Sequence, residues 1–263
     1  LWPSLLRHRP KPAYERERVE LADGDFIDLD WHGPSGSALL VLILHGLEGS
    51  SASHYVRALS SNLATRGVAS VVMHQRGCSG EPNRLARFYH AGETDDFERI
   101  LEHCLRRHGG SGLCAVGFSL GGNILLKWLG TTGDGSTLAA AVAVSVPFRL
   151  DDGARRLERG FARVYQRYLI RNMKRSVARK RQRMHHPVDP DELGACATFE
   201  HIDTCLTAPL HGFRDAWDYY ARSSCRQFLG GIRTPTRIIH ARDDPFITPS
   251  AIPGADELSA CIT

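Results

Sequence analysis

A continuous aliphatic run at residues 38–44, with further largely apolar runs at 68–73, 113–118 and 138–146, constrains this chain more than any other feature. A strand buried on both faces needs such a run, whereas a strand with one wet face alternates apolar with polar residues. Between the runs the spacing changes. Val56, Leu59 and Leu63 share one side of a helix that Gly67 ends. Phe97, Ile100, Leu101, Cys104 and Leu105 recur at helical intervals before a Gly109-Gly110 stop. Residues 120–129 read as a further helix and 236–241 as a further strand. Residues 26–32 alternate Ile27, Leu29 and Trp31 with Asp28, Asp30 and His32, the pattern of a half-exposed strand. Strand and helix in this rhythm predict an α/β architecture, a mostly parallel sheet flanked by helices on both faces.

The alternation stops between residues 147 and 209. Leu157, Phe161, Val164, Tyr165, Tyr168 and Met173 keep helical spacing with arginines on the opposite side. This predicts a helical lid, residues 148–208, inserted after the strand that ends near Val146 and burying its apolar stripe. The remainder reads as one domain over residues 1–263, a length that buries a substantial core. Charge sets the insert apart: residues 151–187 carry 12 Lys/Arg against 3 Asp/Glu in a chain of net charge +4. Nucleic acid is not expected as a partner, because no recognised reading module is present and the apolar stripe calls for burial. A solvated lid face is the plain expectation, and peripheral contact with an anionic membrane is the functional one.

No apolar run reaches the ~18 residues that a bilayer span needs, and no secretory signal opens the chain. Leu1 stands where a start methionine would, and residues 257–263 read as the entry to another strand, so the expectation is a piece cut at both ends. Seven cysteines at irregular spacing contain no C-x-x-C pair. Cys104 and Cys114 read as small buried hydrophobes in a reducing compartment, which favours a cytoplasmic protein with no zinc site.

Gly117-Phe118-Ser119-Leu120-Gly121 places a serine between a strand and a helix. A nucleophile on so sharp a turn needs flanking residues without Cβ atoms and a helix N-terminus that aims amides at developing negative charge. His45-Gly46-Leu47-Glu48-Gly49 follows the first aliphatic run. Acyl transfer needs two preorganised donors for its oxyanion, and the backbone N–H groups of Leu47 and Leu120 are the candidates. His45 is expected to order this loop rather than act as a base, and Glu48 to be a solvated carboxylate. The acid candidate is Asp244, followed by Pro245 in a loop after the last strand; Asp243 is the second choice, as a turn or capping residue. His90 and Asp95 form an H-x-x-x-x-D pair that reads as helix capping, and Cys78 reads as a loop residue.

Residues 44–55, 72–84, 89–96, 115–123, 207–213 and 240–246 together resemble the α/β-hydrolase superfamily, and within it the YheT-type branch of esterases and abhydrolase-domain lipases. The resemblance implies Ser119 as nucleophile, Asp244 as charge-relay acid, Leu47 and Leu120 as oxyanion donors, and no metal or organic cofactor. It implies a carboxylic-ester hydrolase acting on short- or medium-chain esters or acylglycerols, with a small-molecule ester or lipid as partner. A thioesterase or acyltransferase uses the same parts, and a non-catalytic binding protein of this fold is the reading from another class. The chain departs from the family pattern in one respect: the last of its 13 histidines is His240, before Asp244. The triad histidine is therefore expected beyond Thr263 or is missing altogether.

Overall fold

The computed structural model describes residues 12–109 and 112–263. Leu1 and the Gly110 half of the expected helix stop lie outside the described residues. Seven strands form one sheet: β1 (Glu15–Glu20), β2 (Phe26–His32), β3 (Leu40–Leu44), β4 (Ala69–Met73), β5 (Leu113–Phe118), β6 (Ala140–Val144) and β7 (Thr236–Ile239). Their spatial order is β1-β2-β4-β3-β5-β6-β7. β1 and β2 run antiparallel at one edge, and β4 through β7 pair in parallel. The four apolar runs form β3, β4, β5 and β6, where helices cover both faces; β7, the fifth parallel strand, lies at the edge with Ile239 51% exposed.

Helix α1 (His54–Ala64) packs on one face, where Val56 and Leu59 meet Val41, Ile43 and Val72. Helices α2 (Thr94–His108) and α3 (Leu120–Thr132) cover the other, burying Phe97, Ile100, Leu101, Ile124 and Leu125 against Leu40, Leu42 and Leu44. Gly109 ends α2 in the left-handed conformation (φ 85°), returning its N–H to the carbonyl of Leu105. That glycine stop is the one the sequence implies.

Strand β1 escapes the apolar-run reading because its sequence is ERERVE. It is held by charge. Arg16 and Arg18 pair across the ladder with Asp30 and Asp28, at 2.7 and 2.8 Å. Glu17, on the opposite face, accepts from Trp31 Nε1 at 2.8 Å and lies 3.0 Å from His103 Nε2. These pairs also correct the expectation for β2. Asp28 and Asp30 are buried, not exposed, because the β1 arginines and the His74 ring lie over them.

After β6 the chain turns helical: α4 (Leu150–Leu157), α5 (Ala162–Arg181), α6 (Pro190–Ala195) and α7 (Phe199–Ile202), then a π turn at Asp203–Thr207, α8 (Ala208–His211) and α9 (Ala216–Ser223) before β7. Of the apolar stripe expected to be buried here, Leu157 and Met173 pack partly against the core, but the other four are exposed: Phe161 81%, Tyr168 59%, Val164 56% and Tyr165 39%. The helix is interrupted between Leu157 and Ala162, with Gly160 at φ 56°, so a period counted across that turn joins two separate helices. Helix α5 buries a different face, through Ala162, Gln166, Leu169, Ile170, Val177 and Lys180.

Candidate active site

The carboxyl ends of β3, β5, β6 and β7 lie side by side. Ser119 N–H donates to the carbonyl of Val144 at 2.8 Å, and Ser145 N–H to that of Ile239 at 2.9 Å. The loops after these strands therefore share one edge of the sheet, where α/β folds bind ligands. The non-glycine residues with positive φ are Glu48 (54°), Ser119 (51°) and Ser145 (52°), among the described residues. Each follows one of these strands. Strain of this kind costs about 1–3 kcal/mol per residue and persists where the surroundings over-determine it.

Ser119 is exposed, caps the N-terminus of α3 with φ 51° and ψ −118°, and its Oγ has no hydrogen-bond partner among the described residues. Close approach explains the two glycines. A Cβ at Gly117 would lie 2.5 Å from the carbonyl oxygen of Gly121, and one at Gly121 would lie 2.6 Å from that of Leu44. Gly46 faces the serine, since a Cβ there would sit 3.3 Å from Ser119 Cβ. Gly46 N–H donates to Tyr55 Oη at 3.0 Å, and the Tyr55 ring packs on Phe118 with centroids 4.7 Å apart. The backbone N–H groups of Leu47 and Leu120 carry no partner among the described residues, which leaves both free to donate.

His45 is buried with both ring nitrogens committed. Its Nε2 accepts from Gln75 N–H at 3.0 Å, so Nδ1 carries the proton and donates to the Gly46 carbonyl at 2.8 Å. Burial and then the neighbouring His74 push its pKa down to about 3. It orders the loop, as the sequence implies. Glu48 corrects the expectation of a solvated carboxylate. Tyr89 Oη and Ser176 Oγ donate to its two oxygens at 3.2 and 2.9 Å, and burial raises its pKa despite them. The loop after β3 is thereby fastened to α5.

Asp244 stands at the same edge, beyond β7. Its carboxylate accepts from Phe246 N–H at 2.9 Å and lies 3.6 Å from His240 Nε2. Asp243, the second choice, is exposed. Phe246 stacks on Tyr165 of α5 with centroids 4.5 Å apart, and Thr248 is held by Asp152 of α4 at 2.7 Å. The structure thus sets Gly46, next to Leu47, against Ser119 and its neighbour Leu120, and places Asp244 on the loop after β7, two strands away from β5, without a hydrogen bond between Ser119 and Asp244 among the described residues. Within residues 245–263 there is no histidine.

A cavity of about 30 Å³ lies beside Leu47 and Glu48, walled by Tyr89, Met173, Leu206, Leu210 and His211. Neither Ser119 nor Asp244 lines it. Its far wall, His211, meets His90 at a ring separation of 4.5 Å. His90, Glu93 and His211 are close enough to hold a metal ion. Their chemistry does not suit one. His90 Nδ1 already accepts from Gly92 N–H at 3.1 Å, Glu93 is paired with Arg87, and Lys127 and Arg222 add positive charge to the same recess. Burial leaves both imidazoles neutral, with His211 pulled down to about 4 and His90 also well below its ordinary value. The expected capping role is not seen either, since helix α2 has no side-chain cap; Asp96 instead pairs with the buried Arg76 at 2.6 Å.

Lys180, read from sequence as part of a solvated basic face, is buried. Its Nζ donates to the carbonyls of Leu85, Ala86 and Arg87 at 2.6, 3.1 and 2.5 Å, and lies 3.7 Å from the Phe88 ring centroid. Helix α5 is pinned there to the loop after β4. Cys78 is a partly buried loop thiol whose pKa burial raises, which disfavours its thiolate.

A serine on a strained turn between a central parallel strand and a helix, with free amides beside it, defines the α/β-hydrolase class, and the chain belongs to it: the family described as alpha/beta hydrolase fold matches residues 40–261. Among curated proteins it is 42% identical to YheT of Escherichia coli, named for a proposed esterase activity, over 97% of this chain and 77% of that protein. It is 30% identical to the mouse phospholipase ABHD3 over 95% of this chain, and spans 63% of that relative's length. Among solved structures, the Pyrococcus furiosus esterase Pf2001 matches with a TM-score of 0.60 at 16% identity, over 91% of this chain and 75% of its own. That likeness concerns the fold alone. No helix among the described residues is long and apolar enough to cross a membrane.

Proposed function

We propose that the protein is a serine hydrolase of carboxylic esters, acting on short- or medium-chain esters or acylglycerols. The observation that carries this is Ser119 itself, exposed at φ 51° and ψ −118° with its Oγ unpartnered and Gly46 packed against its Cβ. Ser119 Oγ attacks the ester carbonyl while an imidazole takes its proton. The oxyanion is met by the N–H groups of Leu47 and Leu120, and the alcohol leaves with that proton. Water then attacks the acyl-enzyme by the same route, releasing the acid. Asp244 orients the imidazole and stabilises its charged form. The names of the relatives, an esterase and a phospholipase, support the reaction class.

The test is fluorophosphonate labelling of the complete natural polypeptide and of its Ser119→Ala form. Labelling abolished by the substitution is expected. Equal labelling of both forms, or of neither, would refute the assignment.

In the same reading residues 148–208, with helices α4 to α7 and the π turn, are a lid. The exposed Phe161, Val164, Tyr165 and Tyr168, with Arg171 and Arg175 following on α5, suit an anionic lipid surface. Sedimentation with phosphatidylglycerol vesicles, but not with phosphatidylcholine vesicles, is expected. Loss of that difference in Phe161→Ser/Tyr168→Ser protein ties it to this face, and equal sedimentation of both proteins would sink the idea.

A further inference from the structure

Two thiols in the helical insert take no part in the chemistry proposed for Ser119. Cys196 caps the C-terminus of α6, and Cys205 sits in the middle of the π turn Asp203–Thr207. They are 3% and 7% exposed, and their Sγ atoms are 2.9 Å apart. Cys196 Sγ also lies 3.4 Å from the Glu192 carbonyl oxygen, and Cys205 Sγ 3.7 Å from that of Ile202. Each S–H can therefore be taken up by a helix carbonyl while the two sulfurs face one another. A covalent S–S bond is ~2.05 Å long, so closure needs the sulfurs to approach by only about 0.9 Å. None of the other five cysteines has a sulfur partner among the described residues.

We propose that Cys196 and Cys205 form a reversible disulfide, a redox modification site in the insert. With hydrogen peroxide as oxidant, one sulfur attacks a peroxide oxygen, the O–O bond breaks, and water leaves to give a sulfenic acid. The second sulfur attacks the first and displaces a second water. Two S–H bonds are replaced by one S–S bond, the thiol pair loses two electrons, and the peroxide gains them. Burial raises the Cys205 pKa and keeps its thiol protonated, which makes the pair slow to react and favours a small oxidant over a bulky one.

The location gives the bond a consequence. The π turn that holds Cys205 continues into Leu206, Thr207, Leu210 and His211, which wall the cavity beside Leu47 and Glu48. The turn is already braced by Asp203, which accepts from Thr207 Oγ1 at 2.7 Å and from Tyr220 Oη at 2.8 Å. A π turn inside a helical stretch is frequently a functional feature. Oxidation adds a covalent tie between α6 and this wall, and reduction releases it.

The experiment treats the folded, reduced protein with hydrogen peroxide, alkylates it in denaturant and maps the peptides without reduction. A crosslinked pair containing Cys196 and Cys205, two hydrogens lighter, is expected, with five alkylated cysteines and reversal by dithiothreitol. In the oxidised protein the melting temperature should rise by roughly 5 °C, and Cys205→Ala should remove both the crosslink and the rise. Seven alkylated cysteines, separate sulfinic acids at the two positions, or a crosslink between other cysteines would overturn the proposal. The crosslink is read by mass, so its failure is distinct from a failure of the Ser119 chemistry.

Discussion

Replacing Gly121 by alanine isolates the contact that holds the nucleophile turn against the sheet. The added Cβ would lie 2.6 Å from the carbonyl oxygen of Leu44 and 2.7 Å from that of His45. Both are backbone atoms at the end of β3, so no side chain can swing aside. To restore an ordinary contact of 3.4 Å, the start of α3 must retreat from β3 by 0.8 Å. Overpacking of this kind costs about 1–3 kcal/mol, and rigid backbone on the receiving side puts Gly121→Ala at the upper end. Ser119 and the Leu120 N–H move with the helix. A displacement near 1 Å costs about 100-fold in rate, so fluorophosphonate labelling of Gly121→Ala should fall by roughly one to two orders of magnitude. Gly194→Ala is the control, because nothing lies within 4 Å of a Cβ there. In the helix α6 it should be neutral or stabilise by roughly 0.5 kcal/mol. Urea unfolding followed by tryptophan fluorescence measures the first effect, and labelling rates measure the second. A Gly121→Ala protein with the wild-type midpoint and labelling rate would show that the turn is not held by this contact.

Lys180→Met removes the donors from three carbonyls while keeping the length of the side chain, and should destabilise by about 3 kcal/mol in urea titrations; a loss below ~1 kcal/mol would mean that α5 is not pinned there. Burial alone would raise the pKa of Asp30, but the hydrogen bonds from His74 and Arg16 hold it below its ordinary value. Its contribution to stability is therefore complete above about pH 4 and is lost as pH falls through the depressed folded-state value. Melting temperatures recorded from pH 6 down to pH 2 should fall more steeply below pH 4 in the wild type than in Asp30→Asn, and parallel curves would contradict this.

The parallel strands and the nucleophile turn could be read directly from spacing, because both depend on neighbours close in the chain. An aliphatic run of five or six residues is a buried strand wherever helices cover it. Likewise Gly117, Ser119 and Gly121 sit on one strand–turn–helix unit whose geometry needs those residues locally. His45 was also readable, as part of the turn that its own ring closes onto Gly46.

What spacing could not supply was the fate of charged and polar groups, since their partners come from far along the chain. ERERVE has no apolar face, and it becomes an edge strand only because Asp28 and Asp30 arrive opposite Arg18 and Arg16. Glu48 is half hidden because Ser176, 128 residues later, reaches its carboxylate. Lys180 is buried because three carbonyls of the loop after β4 converge on its Nζ. In each case burying the charge costs several kcal/mol unless the partners are in place, and only the tertiary fold brings them there. The same holds for the aromatic stripe. Helical spacing gathers Phe161, Val164, Tyr165 and Tyr168 on one side, but the packing of Leu169, Ile170 and Val177 decides that this side faces out. Sequence alone determined the parallel strands, the turn and the position of Ser119. Tertiary structure decided which charges are buried, which helix face is free and which two sulfurs meet.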